Sequence, residues 1–572
     1  MGLKPPPQHV GVVSKDKKVT QQTMARISQE TFDDAVTENM EELDMELDEA
    51  VTDAISQFEA QGIDLSNILK QAPSADRDAH PVLRGLAALA NATRAGMDAT
   101  RELTFGEGSS QSTMKLKFKA LPVTAVPEDE EGGETDAGLG QALDALAVAC
   151  AEEGEAGERS CALLGTREGI DLLSSACLSL LARPELLSAL AALGAGLRST
   201  ENCEHIGLRG LLALYAVISE RPADAPVQAA AFRACAAAMV GNEANRTAMH
   251  EKLRIITTAA AALRAHPEHR ECVLAACALL RALTLQDDGR VALNKGFDRA
   301  RAAADMGCLQ LLGAQLKRAA GEAAQGGGGE GGADLQMAAE VLRTLSRLCA
   351  SAKICETLVK LGALVASVSL LQAHLVEADL CRNASGFLAN LAGDDEVKSR
   401  CGELHVPEIA ASVLAGHSES VGTLDACSQL VAALTTRNSP NCAAFLEAGG
   451  ADALLSAMRR WPQALGLHKR GALVLRNLAV RVPEAVPSIL ELGAEPVLRA
   501  DMEKTLELHD LAKAALRDMR CDVSLAQPWQ GMPGEERHLE RGDDAEDTFG
   551  KYMDTDEARS AMRVAGFDTT QF

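Results

Sequence analysis

One amphipathic stripe recurs along the chain at a nearly fixed interval. In residues 377–406, EADLCRNASGFLANLAGDDEVKSRCGELHV, the residues Leu380, Ala384, Phe387, Leu388 and Leu391 fall at i, i+4, i+7, i+8 and i+11. At 100° per residue they share one helix face, and a face of that width has to be buried. The same stripe returns as Met337, Val341, Thr344, Leu345, Leu348; as Thr423, Cys427, Leu430, Val431, Leu434; and as Leu467, Gly471, Val474, Leu475, Leu478. Further members end at Leu197, Met239, Leu283 and Met519, so successive stripes are 42, 44, 65, 43, 43, 44 and 41 residues apart. A period near 43 implies a solenoid, in which each unit buries its apolar face against the next. The wide interval holds QGGGGEGG at 325–332, which no packed helix can contain, and the extra length is assigned to that run.

Each period holds more than one helix. After Leu348 comes SAKICETLVKLGALVASVSLLQAHL, a short helix ending at Leu361-Gly362 and a second helix from Ala363 onward. Glycines recur at the same place, as Gly307, Gly449-Gly450 and Gly493, where a sharp turn is needed. The order is therefore short, turn, medium, long: three helices per unit.

Composition limits what such an array can do. The chain has 572 residues, too many for one compact core but ordinary for a repeat array, and 47% are apolar with only 3% aromatic. Its core is accordingly read as Leu, Ala, Val and Cys. The net charge of −25 argues against nucleic acid or an anionic membrane as partner. The 15 cysteines are scattered, several in the stripes, with no CxxC pair; they read as small core residues of a reducing compartment, and no metal or cofactor is expected. No apolar run reaches the roughly 18 residues of a membrane span. The first residues lack an apolar signal core, and Pro6 breaks the myristoylation pattern that Gly2 would begin. A soluble, monomeric, cytoplasmic or nuclear protein is expected.

The organisation reads as follows. Residues 1–25 are a disordered start with Pro5-Pro6-Pro7. Residues 26–70 are an acidic helical module with stripes Phe32, Val36, Met40 and Ala50, Val51, Ala54, Ile55, Phe58, ended by Gly62; a short third turn begins at Asp64. Residues 71–138 are partly helical (81–90) and then an acidic linker. Residues 139–521 form the array, about eight or nine repeats with a Gly-rich insertion at about 321–333 and a degenerate first stripe from Leu139 to Cys150. Residues 522–572 are an acidic, mostly disordered tail, in which 554–565 has an amphipathic pattern suited to docking.

The segments ASGFLANLAGDDEVKSRCGELHV, GALVLRNLAVRVPEAVPSILELGAEPVL and LRTLSRLCASAKICETLVKLGALV resemble the armadillo repeat family, and the block at 26–70 narrows the resemblance to one branch of it. The resemblance implies an all-α, right-handed superhelical solenoid whose third helices line a concave groove, and a binding role without catalysis.

On the long helices, the positions one, five and nine before the last stripe residue face away from the core. In the early repeats they hold mostly Ala; in the middle repeats they hold Arg343, Arg347, Arg382, Asn390, Lys469 and Asn477. Arginine can clamp a carboxylate, and Asn can pair with an extended backbone. Asn390 and Asn477 match the groove asparagine of armadillo repeats, but Arg347 and Ala433 interrupt that ladder, and Gly386 and Leu473 stand where importin-alpha-type grooves carry Trp. Basic import signals are therefore a poor fit, and a protein partner offering an extended segment with acidic side chains suits the arginines. The plainer readings are solvated or internally paired arginines and asparagines that bond between repeats. A fixed place in a larger assembly, held by the 26–70 module and the outer surface, is the alternative function. No catalytic constellation is found: the Gly-rich run lacks a following Lys-Ser/Thr, there is no GxSxG, and His266-Pro267-Glu268-His269 lacks a third ligand.

Overall fold

The computed structural model describes residues 25–27, 29–43, 45–65, 80–93, 100–105, 112–117, 137–166, 168–291, 295–324 and 334–523. The expectations for the Pro-rich start, the Gly-rich run and the acidic tail lie outside the described residues, apart from the first two of that tail.

The N-terminal module comes first. Strand β1 (Ala25–Arg26) pairs in parallel with β2 (Ile63–Asp64), and between them lie α1 (Gln29–Glu42) and α2 (Leu47–Ala60). Phe32, Val36, Ala50, Val51, Ala54 and Leu65 form its core. Met40, expected on the buried stripe, is exposed; Asn39 is buried beside it and donates to the carbonyl of Ala50 at 3.2 Å. Asp64 belongs to a strand, not to a third helical turn.

The array is built on α3 (Pro81–Thr93), then β3 (Thr100–Phe105) antiparallel to β4 (Ser112–Lys117), then α4 (Ala137–Ala151). Eight three-helix units follow. They are α5 (Glu155–Thr166), α6 (Gly169–Ser179), α7 (Leu186–Gly196); α8 (Thr200–His205), α9 (Gly207–Glu220), α10 (Ala225–Ala238); α11 (Glu243–Thr247), α12 (Ile255–Ala265), α13 (Arg270–Leu283); and α14 (Gly296–Asp305), α15 (Cys308–Ala324), α16 (Leu335–Leu348). Then come α17 (Ala352–Lys360), α18 (Ala363–Ala373), α19 (Ala378–Leu391); α20 (Asp395–Glu403), α21 (Val406–Gly416), α22 (Val421–Thr435); α23 (Ser439–Glu447), α24 (Gly450–Arg460), α25 (Leu465–Arg481); and α26 (Val486–Glu491), α27 (Ala494–Asp501), α28 (Leu506–Asp518).

Two continuous rows result. The long helices stack α4, α7, α10, α13, α16, α19, α22, α25, α28, and the medium helices stack α3, α6, α9, α12, α15, α18, α21, α24, α27. Helix α3 is thus the medium helix of a leading unit whose long helix is α4. The β3–β4 pair sits in the 43-residue connection between them, where most later units use four residues. Every stripe residue named from Met337 to Leu478 is buried, as the periodicity requires. The stacked three-helix architecture is the expected all-α solenoid, with the two small strand pairs as additions.

The 65-residue interval is a correction. Its extra length is not confined to the Gly-rich run: the α13–α14 loop takes twelve residues where most units use three or four, and α15 runs 17 residues against 11 in α12, α18 and α21. The turn between short and medium helices is left-handed throughout. Gly307, Gly362, Gly449 and Gly493 hold it at φ of 74° to 84°, while Glu168, Arg254 and His405 hold it without glycine at 53°, 49° and 58°.

Candidate protein-interaction face

The six residues singled out in the sequence lie on the long-helix row. Arg343 and Arg347 are on α16, Arg382 and Asn390 on α19, and Lys469 and Asn477 on α25; α22 lies between the last two helices and packs on both.

Their side chains fall into three groups. Both asparagines stitch neighbouring units. Asn390 Nδ2 donates to the carbonyl and hydroxyl of Ser346 at 3.0 and 2.9 Å, and Asn477 Nδ2 donates to the hydroxyls of Thr435 and Thr436 at 3.1 and 3.3 Å. Three cations make exposed pairs: Arg343 with Glu340 at 3.6 Å, Arg382 with Asp379 at 3.3 Å, and Lys469 with Glu507 of α28. Arg347 is exposed and has no ion-pair partner among the described residues.

A second set of charges on this row went unread in the sequence. Arg281 reaches from α13 to α16, pairing with Glu340 at 2.6 Å and donating to the Thr344 hydroxyl at 2.8 Å; burial pulls its pKa below the usual arginine value. Arg470 pairs with Asp425, Arg476 with Asp518 at 2.8 Å, and Arg233 with Glu271, each linking consecutive long helices. The signal was available for the last three pairs, in which opposite charges stand 45, 42 and 38 residues apart, about one repeat.

The other edge of the array carries its own stitches. Asn202 donates to the carbonyls of Cys161 and Gly196, both at 2.8 Å. Asn245 repeats this with Cys203 and Ala238 at 2.6 and 2.8 Å, and Asn441 with Lys398 and Leu434 at 3.1 Å. At the ends of the medium helices, His266, His417, Trp461 and Lys504 donate to the carbonyls of Pro222, Leu375, Ser418 and Pro462 in the preceding unit, at 2.6 to 2.8 Å. His269 caps α13, accepting from the N–H of Cys272 at 3.2 Å. The two histidines around Pro267 are thus occupied structurally.

No group of three or more metal-ligating side chains occurs among the described residues, and no single described helix is long and apolar enough to cross a membrane. The chemistry this face offers is hydrogen bonding and cation–carboxylate pairing from a rigid row of helices.

A row of stacked short–medium–long helix units with a left-handed turn inside each unit is an all-α solenoid of the armadillo type. Residues 24–82 match the profile described as the Armadillo repeat-containing protein 6 N-terminal domain. Along most of its length the chain is similar to Armadillo repeat-containing protein 6 of Homo sapiens, 29% identical with 89% of this chain and 93% of that protein covered. It is also similar to the Drosophila melanogaster homolog, 27% identical with 74% and 80% covered. Among solved structures, an engineered protein matches with a TM-score of 0.47 at 18% identity, covering 68% of this chain and 97% of that one.

Proposed function

We propose that the chain is a non-enzymatic protein-interaction scaffold that holds a partner segment bearing acidic side chains along α16, α19 and α25. The observation that carries this reading is the state of the arginines. Arg347 is exposed without an ionic partner among the described residues, and Arg343 and Arg382, both exposed, are engaged only in long pairs within their own helices. Such pairs contribute little, on the order of 0–1 kcal/mol, so an incoming carboxylate displaces them at small cost. The asparagines contribute less than their sequence pattern implies, since each amide N–H already bonds to the preceding long helix; the Oδ1 acceptors are what they offer.

The test is the triple variant R343E/R347E/R382E in affinity purification with mass spectrometry. A partner set lost from the variant while far-UV circular dichroism is unchanged supports the reading; a partner set identical to wild type removes it.

A second reading is a fixed place in an assembly, held by the N-terminal module. It is favoured by the module's separate core and by Met40 and Leu43, which project into solvent from α1 and just beyond it. Deleting residues 26–70 separates the two: assembly lost with the arginine variant unaffected selects this one.

A further inference from the structure

At several seams between consecutive units a buried side chain supplies the tie between short helices. Asn202, Asn245 and Asn441 are each the third residue of their short helix, α8, α11 and α23. Each amide nitrogen donates to two carbonyls, one in the preceding short helix and one at the end of the preceding long helix. Between α11 and α14 the donor is Arg299. Its Nη1 lies 3.3 Å from the carbonyl of Leu283, the last residue of α13, and its Nη2 binds the Glu243 carboxylate of α11.

At the α17–α20 seam the third residue of the short helix is Val397, which has no hydrogen to donate. By position, the carbonyls such a donor would reach are those of Cys355, the fourth residue of α17, and Asn390, next to the end of α19. The Cys355 sulfur stands 3.9 Å from Asn390 O, a long contact even for a thiol. In place of a tie there is a cleft of about 1060 Å³, lined by α17 on one side, α20 on the other, and Asn390. Each wall carries a carboxylate. Glu356 of α17 is in an exposed pair with Lys360, and Glu396 of α20 is exposed without an ion-pair partner among the described residues.

We propose that this cleft receives a single arginine side chain from a protein partner, which supplies from outside the donor that Asn202, Asn245, Arg299 and Asn441 supply from inside at their own seams. A guanidinium has N–H groups enough for the Asn390 carbonyl and a carboxylate at once, as Arg299 shows with Leu283 and Glu243. A carboxamide would satisfy the carbonyls but leave Glu356 and Glu396 without a counter-charge, and an ammonium lacks the planar fork that reaches both kinds of acceptor. The net charge of −25 draws a cationic segment toward the chain over long range. Lys353 and Arg400 also line the cleft and are exposed, so a run of basic residues is repelled and one arginine among neutral neighbours is the fitting ligand. The site shares only Asn390 with the long-helix face, and through its backbone carbonyl, so it stands apart from the acidic-segment reading.

The test probes immobilised nonapeptides with the labelled full-length chain. The peptides carry a central Arg, Lys, citrulline, Asn or Glu, and their other positions are randomised among uncharged residues. Arg-centred peptides are expected to retain the wild-type chain roughly fivefold or more above citrulline- and Glu-centred ones. Val397→Asn adds the missing amide without changing charge, so any general attraction of an acidic chain for arginine persists in it. It is expected to lose that retention by a similar factor, with a melting temperature equal to or above wild type. Glu356→Gln/Glu396→Gln alters only exposed side chains and is expected to bring the Arg and citrulline signals together, while R343E/R347E/R382E keeps the preference. Equal retention of Arg- and citrulline-centred peptides by the wild-type chain overturns the proposal, as do Asn-centred peptides retaining more than Arg-centred ones. A folded Val397→Asn chain that binds as wild type overturns it too. If Val397→Asn does not fold, the double Gln variant decides, and an undiminished preference for arginine there removes the site.

Discussion

Arg299 of α14 meets Glu243 of α11 fork to fork. Nη2 lies 2.5 Å from Oε1 and Nη1 lies 3.1 Å from Oε2, with the arginine side chain fully buried. Arg246, also fully buried, adds a bond to Glu243 Oε2 at 3.0 Å and pairs with Asp287 on the α13–α14 loop. That loop turns back over the preceding unit, where Asp287 and Asp288 accept from the N–H groups of Gly241 and Glu243 at 3.0 and 2.9 Å. The long loop thus satisfies the start of α11, whose first N–H groups have no helical partner. Replacing Glu243 by Gln leaves two buried guanidinium groups short of a counter-charge. The loss is expected to be about 3–5 kcal/mol in urea unfolding monitored by circular dichroism.

The same cluster sets an acid limit. Burial raises the Glu243 carboxyl, but the hydrogen bonds from Arg299 and Arg246 outweigh it and leave the pKa below the usual value. Asp288 is lowered further, chiefly by Arg290 and then by the N–H of Glu243. Both groups are depressed in the folded state, while the unfolded chain titrates near its ordinary values of about 3.9 and 4.3. Their stabilisation is therefore complete above about pH 5 and is lost as pH falls through the lower folded values. Urea midpoints measured from pH 7 to pH 3 are expected to fall at the acid end, less steeply in Glu243→Gln than in wild type. Equal slopes in the two would remove the cluster from the acid response.

Leu391 closes the α19 stripe and has no exposed surface. Leu391→Ala is expected to cost on the order of 2–5 kcal/mol through lost burial and the cavity left behind. A change under about 1 kcal/mol in chemical unfolding would mean that the site collapses or that the stripe is not the stacking surface.

The solenoid was legible because its signal is repeated. The stripe from Leu380 to Leu391 is marginal alone and decisive when it returns at 337, 423 and 467. The leading unit was harder to see. Leu139 announced a long helix, but its medium partner α3 lies 43 residues upstream, beyond the β3–β4 pair, and no fixed interval connects them. The candidate face was half legible. Spacing placed Arg343, Arg347 and Arg382 on neighbouring long helices, but whether Asn390 meets a ligand or Ser346 depends on helix separation, which spacing does not encode. Arg246, Arg299 and Lys398 were invisible as buried groups, since a cation in sequence reads as surface until its partner is in place.

The left-handed turn predicts opposite effects at equivalent positions. Gly362 sits at φ 82°, and a Cβ there meets only Lys317 Cδ at 3.7 Å, so Gly362→Ala is expected to cost about 1 kcal/mol from backbone strain alone. Arg254 and His405 already carry that strain at φ 49° and 58°. His405→Gly is therefore expected to leave stability unchanged or raise it by up to about 1 kcal/mol, despite the loss of its contact with Glu408 at 3.0 Å. Melting temperatures of the two variants moving the same way would exclude a shared turn geometry.

Asn390 and Arg347 lie on the same exposed row but are expected to respond oppositely to truncation. Asn390 Nδ2 spans two units through Ser346, so Asn390→Ala removes an inter-helix tie and should cost about 1 kcal/mol of stability. Arg347 touches no partner charge among the described residues, so Arg347→Ala should stay within about 0.5 kcal/mol of wild type. If the face holds an acidic segment, Arg347→Ala weakens partner recovery without moving the melting temperature. Asn390→Ala lowers the melting temperature and weakens recovery only in proportion. A stability loss at Arg347 matching that at Asn390 would show that the arginine serves packing, and the carboxylate-binding assignment would have to move to Arg343 and Arg382 alone.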